Sequence, residues 1–279
     1  RRRVTDFVHG HTQAKGGLQI GHAGRKGSTK LMWEGMDEPL PEGGWPLISA
    51  SALPWRPENP VPRAMTEEDM QRILQDHVRA TERAVEAGFD WLELHCAHGY
   101  LLASFLSPLT NQREDSYGGS IENRMRYPLE VLKAVRAAWP QERPLSVRIS
   151  ATDWHAEGIS EEDTVTLAQA LVETGADIID VSTGQTDPSS RPRFGRLWQT
   201  PQAERLRLEA NVPLMTVGCS SSYADVNGIL AAGRADLCVI ARGHLYDPYW
   251  TRHAAAALDH ELPWPNQYSV LRGYTFRFE

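Results

Sequence analysis

The stretch ELHCAHGYLLASFLSPLTNQREDSYGGSIENR, from Glu93 to Arg124, decides how this chain is read. An apolar strand, FDWLEL from Phe89 to Leu94, ends in it. At its carboxyl end stand His95, Cys96, Ala97, His98, Gly99 and Tyr100, and a long loop, SPLTNQREDSYGG, is expected to follow before the next helix. In a parallel α/β protein the groups just past a strand's carboxyl end face the ligand. Two imidazoles and a phenol placed there read as a site rather than as core.

Outward from this stretch one unit repeats: an amphipathic helix closed by Gly or Pro, then a short apolar strand. Downstream strands are PLSVRIS (Pro144 to Ser150), DIIDVST (Asp177 to Thr183), PLMTVG (Pro213 to Gly218) and DLCVIAR (Asp236 to Arg242). Between them helices are expected at Asn123 to Trp139, Glu161 to Thr174, Thr200 to Glu209 and Ser222 to Ala232. Upstream, periodicity gives a helix at Arg2 to His11 and a strand at Gly17 to Ile20, then an irregular segment that Pro39, Pro41, Pro46, Pro54, Pro57, Pro60 and Pro62 keep from being helical. Thr66 with Asp69 three residues on has the form of an acidic capping box. The helix that follows carries Met70, Ile73, Leu74, Val78 and Val85 on one face and stops at Gly88.

Apolar strands separated by amphipathic helices mean a parallel sheet covered by helices. Polar residues gather after the strands' carboxyl ends: His22 and Arg25, His95 and His98, Ser150 and Asp153, Thr183 and Gln185, Arg242. A (β/α)8 TIM barrel distributes its function this way. The competing doubly wound sheet would carry a Gly-x-Gly-x-x-Gly turn after its first strand, and none is present. Six strands do not close an eight-stranded barrel. The expectation is therefore a single barrel domain over residues 1–279 that lacks its first two strands and belongs to a longer chain.

Composition excludes several classes. The 279 residues are 41% hydrophobic and 23% charged, with a formal net charge of −7. Apart from Arg1-Arg2-Arg3, read as a solvated helix start, no basic run makes a face for nucleic acid. Cys96, Cys219 and Cys238 are an odd count without CxxC spacing. That suits a reducing cytoplasm and argues against a structural disulfide or a zinc ribbon. No apolar run reaches the roughly 18 residues of a membrane span, and no signal peptide is visible.

At this point the residues resemble a known family. The opening stretch, with LQIGHAGRKGS, SVRIS and the closing GRADLCVIARGHLYDPYW, is similar to the Old Yellow Enzyme family of FMN-dependent ene-reductases. Within it, GHAGRKGSTKLMWEGMDEPL and SVRISATDW resemble the carboxyl-terminal reductase-like part of bifunctional aminobenzoyl-CoA and salicylyl-CoA monooxygenases. The resemblance implies FMN as cofactor, NADH or NADPH as electron donor, and an activated, carbonyl-conjugated double bond as acceptor. In the bifunctional subgroup the acceptor would be a dearomatised aryl-CoA thioester, with FAD in an upstream monooxygenase domain and a homodimer or higher oligomer as the assembly.

Carried over residue by residue, the resemblance matches His95 and His98 to the pair that holds the substrate's carbonyl oxygen, and two N–H donors on one oxygen would stabilise developing enolate charge. Tyr100 matches the proton donor; its plainer reading is an aromatic packed under the loop. Gln19 and Arg148 match residues on the flavin ring, since a polar group on a buried strand needs a partner. Gly218, Ala241 and Arg242 match the phosphate grip, although the family more often has glycine at the position of Ala241. His22, Arg25 and Lys26 are read as lining the pocket mouth. Arg272 in QYSVLRGY resembles an arginine that one subunit reaches into its neighbour's site; a solvated terminal arginine is the equal alternative. No metal is expected. The rival readings are a simple enone reductase, a metal-dependent hydrolase using His95, His98 and Asp153, and a non-catalytic scaffold for a CoA ester.

Overall fold

The computed structural model describes residues 2–218, 220 and 222–274. Arg1 and Cys219, on which expectations were placed above, lie outside the described residues. Among the described residues six strands form one sheet: β1 (Gly17–Ile20), β2 (Trp91–Cys96), β3 (Leu145–Ser150), β4 (Ile178–Ser182), β5 (Leu214–Val217) and β6 (Leu237–Val239). Each pairs in parallel with the next in chain order, which is the walk of a (β/α) barrel, two strands fewer than the eight that close one. The connecting helices are α1 (Arg2–His11), α2 (Glu67–Glu86), α3 (Leu101–Leu106), α4 (Arg126–Ala138), α5 (Glu161–Thr174), α6 (Thr200–Glu209), α7 (Tyr223–Ala231), α8 (Arg242–Tyr246) and α9 (Trp250–Ala257).

The strands alternate more strictly than their apolar look suggests. Leu92, Leu94 and Cys96 of β2, Val147 and Ile149 of β3, and Ile179 and Val181 of β4 are buried in one core with Met70, Ile73, Val131, Val135, Leu167 and Leu171 of the helices. The residues between them, Glu93, His95, Arg148, Asp180 and Ser182, point the other way because successive strand side chains alternate faces. One face of the sheet is thus greased to the helices while the other carries charge.

Four expectations need correction. The helix foreseen from Asn123 to Trp139 is split into Ile121–Arg124 and α4, because Pro128 has no N–H to donate to the carbonyl of Arg124. No helix is expected between the strand end and the SPLTNQREDSYGG loop, yet α3 stands there with all six of its residues buried. Gly24 presses against its start: with φ +57, a Cβ there would lie 2.8 Å from the Leu101 nitrogen. The last strand ends at Val239, so Arg242 opens α8 rather than closing a strand. Finally, only Ile20 of β1 is buried, and Gln19 lies exposed on the sheet's outer strand. The irregular segment also contributes a short parallel ribbon, Ile48–Ser49 with Arg63–Ala64.

The capping box is present. The Asp69 N–H donates to Thr66 Oγ1 at 3.2 Å, and the Thr66 N–H donates to Asp69 Oδ2 at 3.0 Å. Thr66→Ala should therefore lower stability by about 1 kcal/mol, the usual value of such a cap, seen as a lower urea midpoint at unchanged slope. An unchanged midpoint would show that α2 is held by packing alone.

Candidate active site

Beyond β2 the chain makes a left-handed corner. His98 has φ 60 and Gly99 φ 70. A non-glycine residue stays there only when its surroundings hold it. The His98 N–H donates to Ser150 Oγ at 2.9 Å, and that hydroxyl donates to the Gly184 carbonyl at 3.0 Å, tying the corner to the ends of β3 and β4. The corner brings the imidazoles together, tilted by 44°: His95 Nε2 and His98 Nδ1 are 3.3 Å apart, with ring centroids separated by 5.1 Å. The second nitrogen of His98 lies 2.7 Å from Ser182 Oγ, while His95 Nδ1 is buried without a partner.

Burial, with Arg148 and Lys26 adding to it, pushes His95 down to about 4. Burial, then His95, Arg148 and Lys26, pushes His98 down to about 3. Both rings are neutral near pH 7, so each carries a single N–H; with the Ser182 hydroxyl donating to Gln199, His98 Nε2 donates to Ser182 and its Nδ1 accepts from His95 Nε2. The Tyr100 ring sits 5.3 Å from that of His95, and burial raises its phenol above the ordinary value, so it holds its proton.

The loop after β1 behaves differently from its reading as a pocket mouth. Arg25 is only 2% exposed; it donates to the carbonyls of Pro54 at 3.1 Å and Thr186 at 2.6 Å, clamping two loops together. A guanidinium spent on backbone carbonyls is not free at a mouth. His22 accepts from the Gly24 N–H at 3.0 Å, which caps its own turn, and burial lowers its basicity. Lys26, by contrast, reaches the site: Nζ is 3.3 Å from the carbonyls of both His98 and Gln185, 4.1 Å from the Trp55 ring centroid and 5.1 Å from that of Tyr100. Burial pulls its ammonium down to about 8.

Below the imidazoles lies a polar floor drawn from four strands. Gln19 Nε2 donates to Glu93 Oε1 at 2.7 Å, and Ser146 Oγ donates to Glu93 Oε2 at 2.8 Å. Arg148 Nε is 3.4 Å from Asp180 Oδ2 yet is buried without a hydrogen bond. Glu93 and Asp180 escaped the sequence reading although both stand in the quoted strands. The available signal was spacing, since each is an acid on the face that carries His95 or Arg148.

At the far end, a buried glutamine joins the parts. Gln199 Nε2 donates to the Val217 carbonyl at 2.7 Å, and its Oε1 accepts from Thr183 Oγ1 at 2.7 Å and Ser182 Oγ at 3.3 Å. Gly218 lies directly against it: φ is +124, and a Cβ would come 2.7 Å from Gln199 Nε2. The pairing of Val217 with Val239 sets Gly218 and Ala241 after neighbouring strand ends, where barrels of this kind hold phosphate. Ala241 and Arg242 are exposed, and Ser220 Oγ is buried without a partner. Arg272 is exposed, just after the 3-10 segment Asn266–Leu271. Among the described residues no three His, Cys, Asp or Glu side chains come together as a metal site, and Asp153 is engaged by Ser107 Oγ at 2.6 Å and the Ile159 N–H at 2.9 Å.

The residues fit the expected FMN. Arg148 offers a guanidinium whose Nε has no hydrogen-bond partner beside its ion pair with Asp180, Gln19 gives only its amide N–H to Glu93, and the Gly218 cradle with the orphaned Ser220 hydroxyl offers small donors beside Arg242. Planar guanidinium and amide groups match the carbonyl edge of a flavin, as backbone N–H groups and arginine match a phosphate.

Comparison with known proteins agrees. Residues 2–261 match the model of the NADH:flavin oxidoreductase / NADH oxidase family. An NADPH dehydrogenase of Geobacillus sp. (strain WCH70) is 41% identical over 275 residues, covering 99% of this chain and 75% of that protein. Morphinone reductase in complex with tetrahydroNAD superposes with a TM-score of 0.71 at 25% identity, over 96% of this chain and 72% of that one. A 2-naphthoyl-CoA reductase complex shares the fold with a TM-score of 0.78 at 24% identity, over 93% of this chain and 40% of that one. The chain belongs to the NADH:flavin oxidoreductase / NADH oxidase family, the Old Yellow Enzymes, whose members bind FMN and take electrons from NAD(P)H.

Proposed function

We propose that this FMN-dependent NAD(P)H oxidoreductase reduces carbonyl-conjugated double bonds at the corner between β2 and α3. The observation that carries the reading is the convergence of His95 Nε2 and His98 Nδ1, 3.3 Å apart, at the carboxyl end of a barrel strand. FMN, when bound, would supply the hydride chemistry that links the nicotinamide to the conjugated double bond. His95 and His98 hold the carbonyl oxygen; being neutral, they donate to the oxygen as charge develops on it without competing for a proton. Tyr100 gives the α-carbon its proton and regains one from solvent. Gln19 and Arg148 hold the ring, Gly218, Ala241 and Arg242 the phosphate, and Lys26 and His22 flank the substrate, with Arg272 acting from a neighbouring subunit of a homodimer or higher oligomer.

The acceptor is further read as an aryl-CoA ring. Support comes from the likeness of GHAGRKGSTKLMWEGMDEPL and SVRISATDW to the bifunctional CoA monooxygenases. Assays of the full-length protein with 2-aminobenzoyl-CoA, salicylyl-CoA and cyclohexenone decide this: turnover of the enone alone would reject the CoA reading.

His95→Ala or His98→Ala should lower kcat for cyclohexenone by about 10²- to 10³-fold, as loss of an oxyanion donor does, with FMN still bound. Arg148→Ala should instead weaken FMN binding by about ten- to a hundredfold, read by flavin fluorescence; unchanged affinity would take Arg148 out of the ring site.

The histidines also predict a pH dependence. Their folded values, about 4 and about 3, lie below the ordinary 6.5, so protons favour the unfolded chain. Stability from this source is fully present above about pH 6.5 and falls as pH drops towards 4. Imidazole NMR titrations with midpoints near 6.5 for both rings would contradict it.

A further inference from the structure

We propose that the tip of the loop after β4, residues 188–198, binds the adenosine diphosphate group that a nicotinamide dinucleotide and a coenzyme A thioester have in common. Phe194 would stack on the adenine and Arg193 would meet the phosphates. This site lies beyond the hydride-transfer corner and rests on the reading of His95 and His98 as the place where the reacting end of each molecule is held.

The tip reads PSSRPRFGRLW, three arginines and no acid in a chain of net charge −7. Phe194 is 76% exposed, and its ring meets that of Trp198 edge-on with centroids 4.9 Å apart. Trp198 in turn stacks on Trp154, at 5.9 Å and 29°. Three rings in a row, open at the Phe194 end, offer a place for a fourth. Stacking on an aromatic side chain holds a purine whatever its edges do, and a neighbouring guanidinium suits its phosphates.

Arg193 is the cation left over on this face. It is exposed, and no acid or hydrogen-bond acceptor holds it among the described residues. Arg191 gives Nη1 to the carbonyls of Pro188, Ser189 and Ser190, which shapes the turn, and Arg196 Nε donates to Asp225 at 2.6 Å. In the other loops that follow the strands, Lys30 pairs with Glu38, Arg56 with Asp37, Arg63 with Asp69, Arg113 with Asp115 and Arg124 with Asp163. Arg25 and Lys26 are held by backbone carbonyls, and Arg242 stands at the flavin phosphate end.

The tip is carried on a fixed stem next to the imidazoles. Arg25 and Lys26 hold the carbonyls of Thr186 and Gln185 at one root, and Thr183 holds Gln199 at the other. Trp154 is kept at φ 54 by its N–H, which donates to Thr152 Oγ1 at 3.2 Å, and by its carbonyl, which accepts from the Arg191 N–H at 3.0 Å. Its ring lies over Gly184, where a Cβ would come 3.0 Å from Cδ1. The Gly184 carbonyl accepts from the Ser150 hydroxyl that holds the His98 N–H. A molecule whose nicotinamide or thioester lies at the corner therefore carries its adenosine diphosphate out across the same face. Because reductant and acceptor use the flavin in turn, one stacking surface serves both.

Calorimetric titration of the FMN-loaded full-length protein with 2′,5′-ADP and 3′,5′-ADP, the phosphate patterns of NADPH and of coenzyme A, tests this directly. Arg193→Ala and Phe194→Ala should each weaken binding about tenfold, the usual size of one charge-assisted contact or one stacked base. Arg193→Lys, which keeps the charge, should recover part of the loss. Both alanine variants remove exposed side chains and should melt with the wild type. In turnover assays a rise in KM for NADPH, rather than a fall in kcat, assigns the site to the reductant. A rise in KM for 2-aminobenzoyl-CoA but not for cyclohexenone assigns it to the CoA ester, and a rise for both assigns it to both in turn. Adenosine phosphates that do not bind, or whose affinity both alanine variants leave unchanged, overturn the proposal whatever the KM values do. The titrations need no turnover, so full kcat in His95→Ala, which would end the reading of the corner, is a separate result.

Discussion

Two-sided alternation along β2, β3 and β4 is the constraint on which the rest depends. Leu92, Leu94, Val147, Ile149, Ile179 and Val181 are fully buried towards the helices. Each apolar anchor fixes the register, and a slip of one residue would turn the charged set into the core. Glu93, His95, Arg148 and Asp180 can therefore stand on the inner face only because their strand neighbours are committed to the outer one. Hydrophobic burial on one side places charge on the other.

That placement explains why the site is dense with neutral donors. Burial strips His95 and His98 of their protons at neutral pH, and the nearby cations Arg148 and Lys26 reinforce the effect. The left-handed corner at His98 is costly in isolation, but the Ser150 hydroxyl and the Gly184 carbonyl hold it. Below, Gln199 ties the hydroxyls of Ser182 and Thr183 to the Val217 carbonyl, so the imidazole end and the Gly218 cradle share one rigid polar link. Such links let a site keep its geometry without a partner in place.

Much was legible in the chain itself. The bounds of α1, α5 and α6, the Thr66–Asp69 box and the clustering of polar residues after strand ends follow from local periodicity and capping. Less legible was the fate of long polar side chains. Arg25 looked like a ligand contact because it follows a strand, but its carbonyl partners at Pro54 and Thr186 lie far away in sequence. Gln19 looked buried because its strand is apolar, yet exposure depends on which strands flank it.

The sequence by itself determined the order of units, the parallel sheet and the stretch that bears the imidazoles, because periods of 3.6 and 2 and the caps between them are local properties. Only the tertiary structure decided which charges meet. That Glu93 takes donors from Gln19 and Ser146, that Asp180 pairs with Arg148 and that Lys26 crosses to the His98 carbonyl are consequences of strand register and loop closure. Register is set by the packing of the whole sheet, and no window of sequence contains it.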